Sequence, residues 1–333
     1  MTLQGLILVV VAYLVLQRWA LNLFKRYARW REHRFEPHVL NLLNEPTATA
    51  PLEHNLLLYD RKFIKGLLLQ QAIQLKGEDK RNMLTVFEKL GYVSSEMNAL
   101  RSKRWWRRLE AAINLGTIQS REAISVLIDA VKDPNEDVRL AAVRALGQLN
   151  EPRGLQVLLD VMEEGVHWTK SSIVEVLVSM GPDIASEIVP RLESTMNPDV
   201  RLVYLQLCGL LQITAALGSL FLLLNDRDQE TRVLAAQALG RIGDTVAVES
   251  LLVSLDDESW EVRAEAAKAL GALGNEQAVN KLKQFLSDEN WWVRHNTANS
   301  LYQLGATGIT VLRQASRTAE AAAQVLAERT LGV

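Results

Sequence analysis

The chain has 333 residues, of which 48% are apolar, 6% are aromatic and one is a cysteine. This composition supports a large packed core and excludes a disordered, collagen-like or disulfide-built protein. The formal net charge is −2, but residues 1–108 carry +9 and residues 109–333 carry −11, so we expect the two parts to face different partners.

The first predicted element is an apolar run at the N-terminus. Residues 3–24 are mostly apolar, and a helix of about 20 residues is long enough to span a bilayer core. The sequence therefore predicts a single transmembrane helix over residues 1–24. A cleaved signal peptide and a soluble or interfacial helix are the alternatives. The signal peptide is disfavoured because the basic residues follow the apolar run.

A basic flank follows this run, whereas the residues before it carry no Lys or Arg. The flank consists of Arg18, Lys25, Arg26, Arg29, Arg31 and Arg34. Because positively charged flanks tend to stay on the cytoplasmic side, the asymmetry predicts a single-pass protein of the cell inner (cytoplasmic) membrane, with the bilayer as a partner and the rest of the chain in the cytoplasm. A polybasic nucleic-acid site is the alternative, but no RNA- or DNA-binding motif accompanies it.

The segments that flank the central region have different predicted roles. Residues 25–51 are predicted to be a basic juxtamembrane segment and linker, because Pro37, Pro46 and Pro51 interrupt any helix there. Residues 52–103 are helix-patterned and are predicted to form an N-terminal cap, and residues 319–333 are predicted to form a C-terminal cap helix.

Residues 104–318 repeat with a period of 31 residues and no gaps. A cation recurs at one position, as Arg108, Arg139, Lys170, Arg201, Arg232, Arg263 and Arg294. An apolar residue follows seven positions later, as Leu115, Leu146, Leu177, Cys208, Leu239, Leu270 and Leu301. Each unit holds two stretches of helical periodicity, and in most units the first stretch contains a glycine near its end. We therefore predict an all-α fold, an α-solenoid (superhelix) of seven 31-residue helical hairpins with helical caps.

These units resemble HEAT repeats, in particular the short bacterial HEAT-like type that is also found in phycobilisome lyases. The resemblance rests on the pattern Asp-x-x-x-x-Val-Arg-x-x-Ala-Ala-x-Ala-Leu-Gly, which residues 257–271 match best. It weakens in the third unit, where Lys170 replaces the arginine and Val178 the glycine, and in the fourth, where Thr195 replaces the turn acid and Cys208 the leucine.

An acidic residue precedes the repeated cation by six positions in most units. The resemblance implies that these residues form a structural ladder between adjacent repeats, and the acid is placed where first-turn N–H groups need acceptors. The predicted ladder contains Asp133, Arg139, Glu164, Lys170, Arg201, Asp226, Arg232, Asp257, Arg263, Asp288 and Arg294. Catalytic roles are not expected, because these residues recur in every unit and no pattern brings two carboxylates into one pocket.

No residue pattern indicates an enzyme, a metal site or a cofactor. The five histidines include no metal-ligand pair, a single cysteine excludes a Cys-x-x-Cys motif, and no Gly-rich phosphate loop or nucleophile elbow occurs. Cys208 is expected to be a small buried apolar group. We therefore expect no catalytic residues, no cofactor, no metal, no small-molecule substrate and no nucleic-acid partner.

Six of the eight tryptophans lie two or three residues before the repeated cation. They are Trp105, Trp106, Trp168, Trp260, Trp291 and Trp292. Equivalent positions in a solenoid stack along one edge, and two interpretations of these indoles remain open. Each indole packs over the neighbouring turn as a helix-entry staple, or the indoles form a contact ridge for a protein partner that is strongest at Trp291 and Trp292.

The sequence therefore predicts a membrane-tethered, non-enzymatic scaffold that binds protein partners, with basic partner surfaces favoured by the −11 charge. The alternative is a phycobilin lyase or isomerase that acts on a chromophore-carrying protein, since that group shares the repeat. A DNA-repair-type solenoid is a third candidate, which the same negative charge disfavours.

Overall fold

The computed structural model describes residues 13, 16–19, 26–27, 30, 34–39, 41–42, 58–164, 167–318 and 321–332, and it gives the backbone alone for residues 58–59, 167–170, 318 and 321–325. Within these ranges all regular structure is helical and no residue lies in a strand. The chain divides into two compact units, residues 1–149 and residues 150–333, and each is considered by itself.

Three helices precede the repeats: α1 (Leu58–Gln74), α2 (Gly77–Lys89) and α3 (Tyr92–Ala99). Residues 34–39, which fall in the segment expected to be a basic linker, are also helical, and Phe35 is buried with its ring centroid 6.5 Å from that of Phe63 in α1. This part of the predicted linker is therefore packed against the N-terminal helices.

The first helices of the repeats begin at a constant interval of 31 residues, as the period predicts. They are α4 (Trp105–Ile118), α6 (Glu136–Leu149), α8 (His167–Met180), α10 (Pro198–Leu210), α12 (Gln229–Ile242), α14 (Trp260–Leu273) and α16 (Trp291–Gln303). The second helices are α5 (Ile124–Ala130), α7 (Pro152–Glu163), α9 (Ala185–Ser194), α11 (Leu217–Leu223), α13 (Val248–Ser254), α15 (Val279–Gln284) and α17 (Ala306–Thr318). A further helix, α18 (Ala321–Leu331), follows them.

The apolar residues that recur seven positions after the cation form a core column, which is fully buried. None of its seven residues, from Leu115 to Leu301, has exposed surface. Cys208 occupies the column as expected, and burial raises the pKa of its thiol to about 12. The thiol is therefore protonated at neutral pH and behaves as an apolar group.

Where a first helix has a glycine near its end, as α14 does, that glycine lies inside the helix and does not terminate it. Gly271 lies inside α14, and a Cβ atom at this position would lie 2.6 Å from the Cβ atom of Ser300 in α16. The residue that ends α14 in the left-handed conformation is Gly274, with φ 67°. Gly271 therefore permits close helix packing, while Gly274 provides the C-cap.

Within the part of the chain that the structure describes, no helix is long and apolar enough to cross a bilayer. Of the predicted transmembrane helix, residues 13 and 16–19 are described, and the rest of residues 1–24 lies outside the described residues. The predicted single-pass location in the inner membrane is therefore corrected. It rested on an apolar run that Gln17 and Arg18 interrupt, and such a pattern does not by itself establish a continuous spanning helix.

Candidate functional site

The repeated cation joins its own turn to the turn of the next repeat. Arg232 at the start of α12 donates from Nε and Nη2 to the two carboxylate oxygens of Asp257, both at 2.9 Å. Its Nη1 donates to the carbonyl oxygens of Asp226 and Arg227 at 3.0 and 3.4 Å. The guanidinium therefore bonds to two consecutive turns at once, and its bidentate pair with Asp257 is largely buried.

The same arrangement recurs in the next repeat and in the first one. Arg263 donates to Asp288 at 2.8 and 3.1 Å, and Arg108 donates to Asp133 at 2.6 and 2.8 Å. Partial burial alone would raise the pKa of Asp133. The hydrogen bonds from Arg108 and from the N–H of Asn135 outweigh burial, and the pKa of this carboxyl lies below its ordinary value.

At the start of α16 the turn acid bonds to the N–H of the residue before the helix, and not to the first-turn N–H groups for which the sequence placed it. Asp288 accepts a hydrogen bond from the N–H of Asn290, two residues later. It is the Asn290 side chain that caps α16, by accepting from the N–H of Trp292 at 2.8 Å. At the start of α16 the acid therefore shapes the turn, and Asn290 caps the helix.

Other predicted ladder residues lie in less complete arrangements. Arg201 reaches Asp226 at 3.4 Å. Arg139 and Arg294 donate to carbonyl oxygens of their own turns, at 2.9 Å to Asp133 and 2.7 Å to Asp288. Glu164 is exposed just after α7, and only the backbone of Lys170 is described. Glu164, Lys170 and Arg201 belong to the third and fourth repeats, where the sequence departs from the repeat pattern, whereas Arg139 and Arg294 belong to the second and seventh.

The structure also contains a polar cluster that the sequence reasoning missed. Arg191 in α9 donates to Asp160 at 2.7 Å and to Glu163 at 3.0 Å, and the fully buried Tyr204 donates to Glu163 at 2.5 Å. Burial and the Glu163 carboxylate raise the pKa of Tyr204 well above its ordinary value. Asp160 and Arg191 are one period apart, so aligning the second helices by the repeat would have revealed this pair.

The indoles at the start of α4 lie in the first compact unit, residues 1–149. Trp105 and Trp106 are both about half-exposed and meet edge to face, with centroids 6.3 Å apart. The guanidinium carbon of Arg104 lies 5.6 Å from the Trp106 centroid, within the range of a cation–π contact.

The second compact unit, residues 150–333, holds Trp260 at the start of α14 and the pair Trp291 and Trp292 at the start of α16. These side chains are 38%, 43% and 53% exposed, respectively. Trp291 stacks on His295 at 4.8 Å and meets Trp292 edge to face at 4.7 Å. His295 in turn lies 3.0 Å from the Asn299 amide nitrogen. Trp168 is placed in α8, and its side chain is outside the described ones.

Half of the predicted membrane-flank residues are described. Arg34 lies with its guanidinium carbon 5.2 Å from the Trp30 centroid, and Arg18 and Arg26 are exposed in helical segments. Lys25, Arg29 and Arg31 lie outside the described residues.

An open groove of about 380 Å³ among residues 1–149 runs between α4 and α6 and is lined by apolar side chains such as Ile113 and Leu140 together with Asp137 and Arg144. Among the residues described, no group of three His, Cys, Asp or Glu side chains is placed to hold a metal ion.

The chain is similar in structure to proteins built from helical repeats. Kap121p bound to the extreme C-terminus of the protein phosphatase Cdc14p gives a TM-score of 0.52 at 14% identity, with 88% of this chain and 39% of that chain covered. YibA of Escherichia coli gives 0.42 at 18% identity, covering 80% and 96% of the two chains. The CpcE and CpcF complex of phycocyanin lyase from Nostoc sp. PCC7120 gives 0.33 at 18%, covering 72% and 93%.

No curated protein matches the sequence significantly. A family model described as HEAT repeats matches residues 97–178, 185–258 and 248–331, which together make up more than half of the chain. Stacked helical pairs of this kind offer extended surfaces suited to protein binding. The chain belongs to the HEAT-repeat family.

Proposed function

We propose that this protein is a non-enzymatic scaffold that binds protein partners through its HEAT repeats, and that the half-exposed indoles of Trp291 and Trp292 contribute to the binding surface. The observation that carries the proposal is the exposure of these two adjacent indoles at a repeat turn whose backbone is already capped by Asn290. The helix start has its hydrogen-bonded cap without the indoles, and exposed clustered tryptophans are typical of interface hot spots.

Two further observations support this proposal. Kap121p, which shares the fold at 14% identity, has been seen with the C-terminal segment of another protein bound to it. The ionisable side chains that recur in the repeats are also occupied by structural contacts, as the Arg232 and Asp257 pair shows. A fold does not fix a function, whereas the exposed indoles of Trp291 and Trp292 are a specific surface feature of this chain.

Site-specific photocross-linking in the native host tests the proposal. A photoreactive phenylalanine replaces Trp292 in one variant and Tyr302 in a matched control, because both side chains are aromatic, lie in α16 and are about half-exposed. We expect protein adducts from position 292 and few from position 302. Equal yields from the two positions, or adducts from position 302 alone, would contradict the proposed surface.

A further inference from the structure

The second compact unit, residues 150–333, carries the same acidic and aromatic motif in two consecutive turns. The sequence reads Asp257-Glu258-Ser259-Trp260 at the start of α14 and Asp288-Glu289-Asn290-Trp291 at the start of α16. We call the surface formed by Glu258, Trp260, Glu289, Trp291 and Trp292 the acidic aromatic edge. We infer that this edge binds an extended segment of a partner protein that carries Lys or Arg side chains at intervals of two or three residues. The inference rests on the proposed function and names the class of partner.

The outward carboxylates of the edge belong to the two glutamates, because the ladder aspartates of both turns are paired with arginine. Arg294 donates to the carbonyl oxygens of Asp288 and Glu289, so one cation also lies in the second of these turns. Arg263 is held bidentately by Asp288, so this pair has no net charge. Glu289 approaches the same guanidinium only at 3.5 Å, and its side chain is 88% exposed. Glu258 has the same relation to Arg232, at 3.5 Å with 90% of its side chain exposed. Each turn therefore presents one carboxylate to solvent.

The indoles follow these glutamates within two or three residues of the sequence and are partly exposed. His295 stacks on one face of Trp291 at 4.8 Å, and Trp292 lies 4.7 Å from Trp291 but only 6.3 Å from His295. These three distances show that Trp292 is not centred over the face of Trp291 opposite His295, so Trp291 is not sandwiched between the two rings. A guanidinium or ammonium group that rests on an indole and pairs with a carboxylate combines a cation–π contact with an ion pair.

The spacing of the repeats sets the spacing of the cations in the partner. Packed helices lie about 8–10 Å apart, and Gly271 brings α14 close to Ser300 of α16. Cations two residues apart in a strand, which rises about 3.3 Å per residue, or three residues apart in a polyproline II segment, which rises about 3.1 Å per residue, point the same way and reach consecutive turns. Nucleic acid and anionic lipid are disfavoured as occupants, because the outward carboxylates repel phosphate groups.

Titration of the full chain with synthetic peptides tests this inference. The probe is a 12-residue peptide with arginine at every third position and Gly-Ser between, and the comparison peptide has glutamate in place of arginine. We expect the arginine peptide to bind at low ionic strength, to change the tryptophan emission and to weaken with added salt, and we expect the glutamate peptide not to bind.

Charge-removing variants locate the site. Glu258→Gln with Glu289→Gln should weaken binding of the arginine peptide about three- to twentyfold, as expected for two exposed ion pairs. The matched control, Glu249→Gln with Glu276→Gln, removes the same charge from exposed positions of the same unit and should leave the affinity unchanged.

Three results would overturn the inference: no binding of the arginine peptide, equal binding of the glutamate peptide, or equal weakening by the two double variants. The proposed function fails independently, through photocross-linking at position 292. Adducts there without arginine-peptide binding would mean that the edge binds a partner of different chemistry.

Discussion

Arg232 shows how one side chain can stabilise two turns that are distant in sequence. Its guanidinium holds the Asp257 carboxylate on one side and the carbonyl oxygens of its own turn on the other, and its side chain is only 8% exposed. A buried ion pair gains little over an apolar pair, but removing one partner leaves the other charge buried without compensation.

The first prediction concerns the loss of this arginine. Arg232→Met preserves most of the side-chain volume and strands the Asp257 carboxylate, so the free energy of unfolding should fall by roughly 2–4 kcal/mol in urea titrations. Arg241→Met, in the same helix but at an exposed position, should cost less than about 0.5 kcal/mol. Similar losses of unfolding free energy in both variants would show that the contact between Arg232 and Asp257 contributes no more to stability than an exposed arginine does.

The second prediction concerns pH and Asp133. The pKa of this carboxyl is lower in the folded protein than in the unfolded chain, so the unfolded chain takes up the proton first as the pH falls. The stabilisation by Asp133 is therefore complete above the unfolded pKa and is lost as the pH falls through the folded pKa.

Unfolding titrations of the wild-type protein and of Asp133→Asn test this relation. The difference in unfolding free energy should be constant above about pH 5 and should shrink steadily below about pH 4. A difference that stays constant to pH 2, or that grows in acid, would contradict the assigned coupling to Arg108.

At the scale of the helices, close packing depends on small residues at defined positions. A Cβ atom on Gly240 in α12 would lie 2.7 Å from the Cβ atom of Ala269 in α14, closer than neighbouring side chains approach. A Cβ atom on Gly218 in α11 would meet no atom within 4 Å. The two glycines therefore provide a matched pair of positions.

Alanine should have opposite effects at these two sites. Gly240→Ala should lower the free energy of unfolding by about 1–3 kcal/mol, because α12 and α14 must move apart. Gly218→Ala should raise it by up to about 1 kcal/mol, because the unfolded chain loses conformational freedom. Chemical denaturation measures both, and a loss at Gly218 equal to that at Gly240 would show that packing is not the cause.

The 31-residue period was sufficient to predict the starts of the first helices and their buried column. It did not reveal the role of the glycine inside most of the first helices, because a C-cap and a close helix contact both place a glycine near the end of a helix. The left-handed residue that ends α10 is Gln212, with φ 52°, and its side chain donates to the carbonyl oxygen of Arg241 at 2.9 Å. A non-glycine residue in this conformation is stabilised by a contact that becomes visible only in three dimensions.

For the whole molecule, repeat class was the most predictable property and location the least. The repeat recurs many times, so chance matches at single positions do not obscure it. The membrane prediction rested on one apolar run, and the finding of no spanning helix among the described residues overturned it. The tryptophan positions were visible in the sequence, but their exposure was not, because a staple and a contact ridge share one pattern.

The central claim is that the exposed indoles bind a partner and do not hold the fold together. The most direct test replaces Trp291 and Trp292 with alanine, and measures thermal unfolding and the capture of the protein that is cross-linked from position 292. Tyr302→Ala is the control, with a side chain of similar exposure in the same helix. We expect an unchanged unfolding midpoint and a loss of capture of at least tenfold in the double variant, as for hot-spot residues. A lowered midpoint with capture retained by the folded fraction would contradict the account and assign the indoles a structural role.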